Sequence, residues 1–256
     1  MKKIALAAAL ALVSVAAHRL PKQPDAMTLY QTGEYADAIK EGLHENTGAS
    51  VATAARAALA IAAQRSPCLD CLNLAENLAR KSIAADPKLA DAHVFLAVTL
   101  GYKARIEGMI HARLSGYADE AKRNLDQALA ADPKNGWALA ALGGWNIEIA
   151  RKGGAWLANW LYGASIAAGM KDFDAAFAAA PDNPVLRYQY ALALGGLDAN
   201  GYKAQIADAL NRAATMEPRT AYEKFAQARA KELLAAWSKK GHDGFDALVK
   251  RDQGYP

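Results

Sequence analysis

Apolar side chains recur at steps of three and four residues along most of the chain, which is the spacing of one face of an α-helix. One such run extends from about Leu89 to Leu114, and a second extends from about Trp137 to Tyr162. Alternating β-branched runs, which would indicate strands, are nearly absent. The pattern therefore predicts an all-α fold.

A short phrase recurs at the end of each helical run. Its four copies end at Pro87, Pro133, Pro181 and Pro218, with the last copy degenerate. Because proline cannot continue a helix and restricts the residue before it, each copy predicts a helix end. The prolines are 46, 48 and 37 residues apart, and recurrence at such a period is typical of a solenoid of helical hairpins.

The phrase resembles the end of a tetratricopeptide repeat, which has a small residue five positions before its proline. An earlier segment, residues 28–39, matches the turn and second helix of such a repeat at Gly33, Tyr35 and Ala38. The resemblance implies a right-handed α-α superhelix. Two of the periods exceed the usual repeat of about 34 residues. We therefore expect two hairpins with long first helices, whose last turns overhang without a partner.

The first 17 residues have the layout of a secretory signal peptide. Two lysines precede an apolar stretch from Ile4 to Val15, and small residues lead to a cleavage point after Ala17. The stretch is shorter than the roughly 20 residues that span a bilayer. We expect a periplasmic or secreted protein, with membrane contact only if this segment stays uncleaved as an anchor.

The remaining chain divides into three parts. Residues 18–66 are expected to form N-terminal helices, either a first repeat or a separate cap. Residues 67–219 carry the repeats, and residues 220–256 are charged enough to form capping helices. The formal net charge is +4 without a basic stripe, so no nucleic-acid partner is expected.

The stretch 143–163 is similar to part of the regulator of microtubule dynamics family. The similarity implies an α-helical repeat scaffold without catalytic residues, and it extends over about residues 80–200. The microtubule role does not follow, because the predicted signal peptide places the chain outside the cytoplasm. The positions that carry the similarity are Gly143, Trp145, Trp156, Leu157, Tyr162 and Gly163.

Cys68 and Cys71 are the only cysteines. A c-type haem site would need histidine after the second cysteine, where Leu72 stands, and a metal site would need further ligands. A redox dithiol would need a βαβ context. We expect a structural disulfide at the start of a helix, formed in an oxidising compartment.

Aromatic side chains in the second long run are the best candidates for a binding surface. Trp145, Trp156 and Trp160 would share one face of a continuous helix, in the predicted overhang. An aromatic stripe at this spacing usually packs in a core, and the alternative is a platform for a peptide or an apolar ligand. The candidate binding residues are Trp145, Arg151, Trp156, Trp160 and Tyr162.

No catalytic motif, metal-binding cluster or cofactor-binding motif is recognisable in the sequence. We expect a non-enzymatic periplasmic scaffold that holds a peptide or protein partner in the groove of its repeats. The alternative is an accessory or solute-binding component of an envelope transport system, with a small apolar ligand and an oligomeric assembly. A thiol-disulfide enzyme is a distant third. A closed apolar cavity beside Trp156 would favour the solute, and an open polar groove would favour the peptide.

Overall fold

The computed structural model of the protein describes residues 24–255, and the predicted signal peptide lies outside them. The described residues form α-helices and no strand, which confirms the predicted all-α helical-repeat class. The helices are α1 Ala26–Thr32, α2 Tyr35–Glu45, α3 Gly48–Gln64, α4 Leu69–Ala85, α5 Ala90–Glu107, α6 Met109–Leu114, α7 Tyr117–Ala131, α8 Gly136–Gly153, α9 Ala155–Tyr162, α10 Ile166–Ala179, α11 Pro184–Asp198, α12 Lys203–Thr215 and α13 Ala221–Asp252.

The recurrent proline phrase ends α4, α7, α10 and α12, as the sequence predicts. After three of these four helix ends, a polar side chain starts the next helix by accepting a backbone N–H bond from its first turn, whereas α5 has no such cap. Asn135 accepts from Ala138 at the start of α8, and Thr220 accepts from Glu223 at the start of α13. Helix boundaries are therefore encoded locally: a proline follows each of these helix ends, and a capping side chain precedes three of the four helices that come next.

The helices form an inner and an outer layer. Helices α1, α3, α5, α8, α11 and α13 form the inner layer, and each contacts the next. Helices α2, α4, α7, α10 and α12 lie outside them as hairpin partners. α13 also contacts α1, where Tyr222 packs against a cluster that contains Leu29 and Tyr30. This last contact closes the inner helices into a ring.

The prediction of two long first helices is wrong in one respect. The chain leaves helical geometry at Gly108 (φ 86°, ψ 163°) and at Gly154 (φ 76°, ψ 148°). Residues with a side chain rarely adopt this conformation, so glycine permits the break. The expected overhangs are separate short helices, α6 and α9, rather than extensions of α5 and α8.

Helix α13 reverses direction. A straight helix of its 32 residues would be about 48 Å long. Instead, Arg251 forms an ion pair of 3.0 Å with Glu232, and the rings of Trp237 and Phe245 are 4.3 Å apart. The two arms of α13 therefore lie side by side, and the chain reverses between Trp237 and Phe245. Both α11 and α12 pack against α13.

None of the helices in residues 24–255 combines the length and the apolar character that a bilayer crossing requires.

Candidate functional site: a central cavity and two projecting helices

The ring of inner helices surrounds a cavity of about 600 Å³ with a mainly apolar wall. The wall includes Tyr30 and Tyr222 at one end and Met109 and Leu161 at the other. Along α8 it extends from Trp137 to Gly153, which corresponds to about 24 Å of helix. The space is therefore long and narrow.

Small residues on the inner faces leave this space open. In α5 the wall contains Ala97, Gly101 and Ala104, and in α8 it contains Ala141 and Gly144. A Cβ atom added at Gly101 or at Gly144 would meet nothing within 4 Å. The cavity therefore follows from side-chain size at positions three or four residues apart.

The polar side chains of the wall are more often basic than acidic. The cations are Arg56, Arg105, Arg113 and Lys152, and the anions are Asp119 and Glu148. The guanidinium of Arg56 lies over the Tyr30 ring, 4.5 Å from its centroid. Arg105 donates a long bond of 3.4 Å to the carbonyl of Gln253, and its buried Nε has no partner within the described part of the chain.

Residues 253–255 cross one side of the cavity after α13 ends. The side-chain amide of Gln253 donates to the Leu192 carbonyl in α11, at 2.8 Å. The hydroxyl of Tyr255 donates a hydrogen bond of 2.7 Å to Glu148 in α8. This segment connects two walls of the ring, so it covers part of the concave face.

Arg151, a predicted binding residue, is engaged within the protein. It forms an ion pair of 2.8 Å with Glu148 and donates a hydrogen bond to the Tyr255 hydroxyl. Burial alone would raise the pKa of Glu148, but the charges of Arg105 and Arg151 and the bond from Tyr255 lower that pKa below its ordinary value. The carboxylate is therefore ionised, and Arg151 holds segment 253–255 in place.

Trp145 and Tyr162 lie at the cavity wall and pack against each other. The Trp145 indole N–H donates to the Ala118 carbonyl at 3.0 Å, and the two rings meet edge to face at 5.7 Å. Ala158 is buried in the same small cluster. These contacts fold α9 back over α8 and give Trp145 and Tyr162 a packing role.

Trp156 and Trp160 are far more exposed, at 75% and 69%. Their rings stack nearly parallel on each other, 5.9 Å apart. The shared face that the sequence predicts with Trp145 is not formed, because the break at Gly154 starts a new helix. The exposed pair of Trp156 and Trp160 is therefore a feature separate from the cavity, whose wall does not include them.

Cys68 and Cys71 form a disulfide at the start of α4, as predicted. The Cys68 sulfur also accepts the backbone N–H of Cys71 at 3.3 Å and so caps the helix. Neither cysteine lines the cavity. Within residues 24–255 no group of three or more His, Cys, Asp or Glu residues could hold a metal ion.

Sequence reasoning did not identify the cavity or segment 253–255. The ring and its internal space make the protein an α-helical repeat scaffold with a central cavity. The family model described as "Regulator of microtubule dynamics protein 1-3" matches residues 25–238, and the chain belongs to this family. The family resemblance predicted from residues 143–163 is thereby confirmed. A comparison with curated proteins finds no match to the chain.

Proposed function

We propose that the protein is a non-enzymatic scaffold that acts outside the cytoplasm and holds a small, elongated apolar molecule in its central cavity. The observation that carries this proposal is the apolar space of about 600 Å³ inside the ring. Sites for small ligands are concave, mainly apolar and about 300–1,000 Å³ in volume. A scaffold of this kind suits an accessory or solute-binding component of an envelope transport system.

The wall favours a small molecule over an extended peptide. Helical backbone groups are satisfied within their own helices, so a peptide would find few partners for its N–H and C=O groups. Burying unpaired peptide groups costs about 1–3 kcal/mol each. An apolar molecule brings no such cost, and it would contact side chains such as Val98, Leu192 and Ala193.

A peptide or protein partner is the second candidate, and segment 253–255 supports it. This segment lies on the concave face and bonds through Gln253 and Tyr255 to α11 and α8. A partner could use the same groups if the segment moved away. A synthetic peptide with the sequence of residues 250–255 should then compete with that partner for binding.

Filling the cavity tests the main proposal. Gly101→Leu and Gly144→Leu would place side chains into open space, whereas Ala36→Leu would add the same bulk on the exposed face of α2. With a fluorescent apolar dye such as N-phenyl-1-naphthylamine, we expect both filling variants to weaken binding by about tenfold or more, a change of about 1.4 kcal/mol. Equal dye affinity in all three variants would refute the cavity assignment.

Export is a separate part of the proposal and rests on residues 1–17. Intact-mass measurement of protein from the cell envelope should give a chain that begins at His18. Recovery of the full-length chain from the cytoplasmic fraction would contradict it.

A further inference from the structure

Helices α6 and α9 expose large apolar side chains that nothing in residues 24–255 covers. Ile110 and Leu114 in α6 are 79% and 84% exposed. Trp156 and Trp160 in α9 are exposed to nearly the same extent. We call these four residues the overhang surface.

Both helices lie at the same end of the ring. α6 follows the end of α5, and α9 follows the end of α8, and these two inner helices are neighbours. The inward sides of α6 and α9 line the same cavity, through Ala112 and Leu157 respectively. The overhang surface therefore surrounds the cavity at one end of the molecule.

Exposed charge at this end is mainly positive. Residues 108–118 and 149–171 contain no aspartate or glutamate. Arg113 and Lys152 are exposed there, and so is His111. Glu107 borders the first segment, and it already accepts a hydrogen bond from Tyr117 and pairs with His111. Asp119 is exposed at the start of α7 and also lines the cavity, so the rim around the apolar tips is mainly, but not wholly, positive.

We propose that the overhang surface docks on an anionic lipid bilayer, with α6 and α9 lying in the headgroup region. This inference goes beyond the cavity function and does not depend on it. Tryptophan is favoured at the membrane interface because its ring is amphipathic. Short helices with apolar and cationic faces bind there without spanning the bilayer. The exposed Arg113 and Lys152 then meet lipid phosphates.

A second copy of the chain is a poorer occupant of this surface. A two-fold interface brings the same patch against itself. Arg113 and Lys152 would then approach their own copies, and of the acids that border the two overhang segments Asp119 alone is exposed. An anionic membrane supplies the missing negative charge.

Vesicle flotation tests the proposal. We expect the full chain to bind vesicles of phosphatidylcholine and phosphatidylglycerol and to bind pure phosphatidylcholine vesicles more weakly. The Trp156→Ser, Trp160→Ser double variant should lose about tenfold or more in partitioning. A matched control, Leu43→Ser with Leu74→Ser, removes two apolar side chains that are about 40% exposed elsewhere and should bind like the wild type. Arg113→Gln should lose about fivefold on anionic vesicles and little on neutral ones.

Circular dichroism and the dye-binding assay verify that each variant is folded and retains its cavity. The proposal is overturned if the wild-type protein does not float with anionic vesicles. It is also overturned if the two double variants lose vesicle binding equally. A third contrary result would be a gel-filtration experiment in which the tryptophan pair controls dimer formation or the binding of another protein instead. Because dye binding is measured without vesicles, failure of docking and failure of the cavity function give different results.

Discussion

The hydroxyl of Tyr255 donates a hydrogen bond to Glu148 across 107 residues of sequence. Arg151 binds both groups, so the three side chains fasten segment 253–255 to α8 at the edge of the cavity. The Glu148 side chain is partly buried, so charges and hydrogen bonds must compensate its carboxylate for the hydration that it loses. The triad therefore couples the stability of the ring to the closure of its cavity.

The first prediction concerns this triad. Glu148→Gln should lower the free energy of unfolding by about 2 kcal/mol, because Arg105 and Arg151 would lose a partly buried carboxylate that compensates them. Urea denaturation measures the change. Asp126→Asn is the control, since it breaks an exposed pair with Lys122 and should cost less than about 1 kcal/mol. Similar losses in the two variants would contradict the assigned role of Glu148.

The second prediction concerns pH and the reversal of α13. The hydrogen bond from Arg251 lowers the pKa of Glu232 from its ordinary 4.5 to about 2. A depressed carboxyl pKa stabilises the fold above the ordinary value, and that contribution disappears as pH falls from 4.5 through 2. In Arg251→Gln, carboxyl NMR titration should show the Glu232 pKa higher than in the wild type.

Arg212→Gln is the matched control, because Arg212 pairs with Asp208 on α12 and not with Glu232. The Glu232 pKa should stay at about 2 in that variant. An unchanged Glu232 pKa in Arg251→Gln would show that the two arms of α13 are not held by this pair in solution.

The helices were predictable from sequence because the signals are local. Proline phrases and apolar steps located the ends of α4 and α7, and the cysteine spacing indicated the disulfide. The breaks at Gly108 and Gly154 were not predictable from the sequence. Glycine inside a helix costs only about 1 kcal/mol, and the apolar pattern continues through both positions.

The cavity escaped prediction for a different reason. Ala58 is fully buried in a tight cluster, whereas Ala141 lines open space, and the residue type is the same. Whether an alanine is packed in a cluster or lines open space depends on how the ring closes, and the ring closes through contacts between residues far apart in sequence. The Tyr255–Glu148 bond is of this kind, and no spacing in the sequence indicates it.

The third prediction concerns the disulfide. Cys68→Ser with Cys71→Ser should lower the free energy of unfolding by about 2 kcal/mol, since the bridge closes a very short loop. Because neither cysteine lines the cavity, dye affinity should not change. A loss of dye binding in a folded variant would instead give the dithiol a functional role.

The fourth prediction uses one substitution in two backbone settings. Gly108→Ala and Gly154→Ala place a side chain where φ is 86° and 76°, with ψ near the extended range. This region is open essentially only to glycine and costs other residues about 1–3 kcal/mol. Each variant should lose that much stability in urea denaturation. Rotation of α6 or α9 to relieve the strain should also weaken vesicle binding.

Gly101→Ala and Gly144→Ala are the opposite case. Both glycines lie inside helices, at positions where a Cβ would meet nothing within 4 Å. Alanine there restricts the unfolded chain and should raise the free energy of unfolding by about 0.5–1 kcal/mol. The same chemical change should therefore shift stability in opposite directions at the helix breaks and inside the helices. If all four variants were destabilised alike, α5 and α6 would not be separated by a glycine-specific break, and neither would α8 and α9.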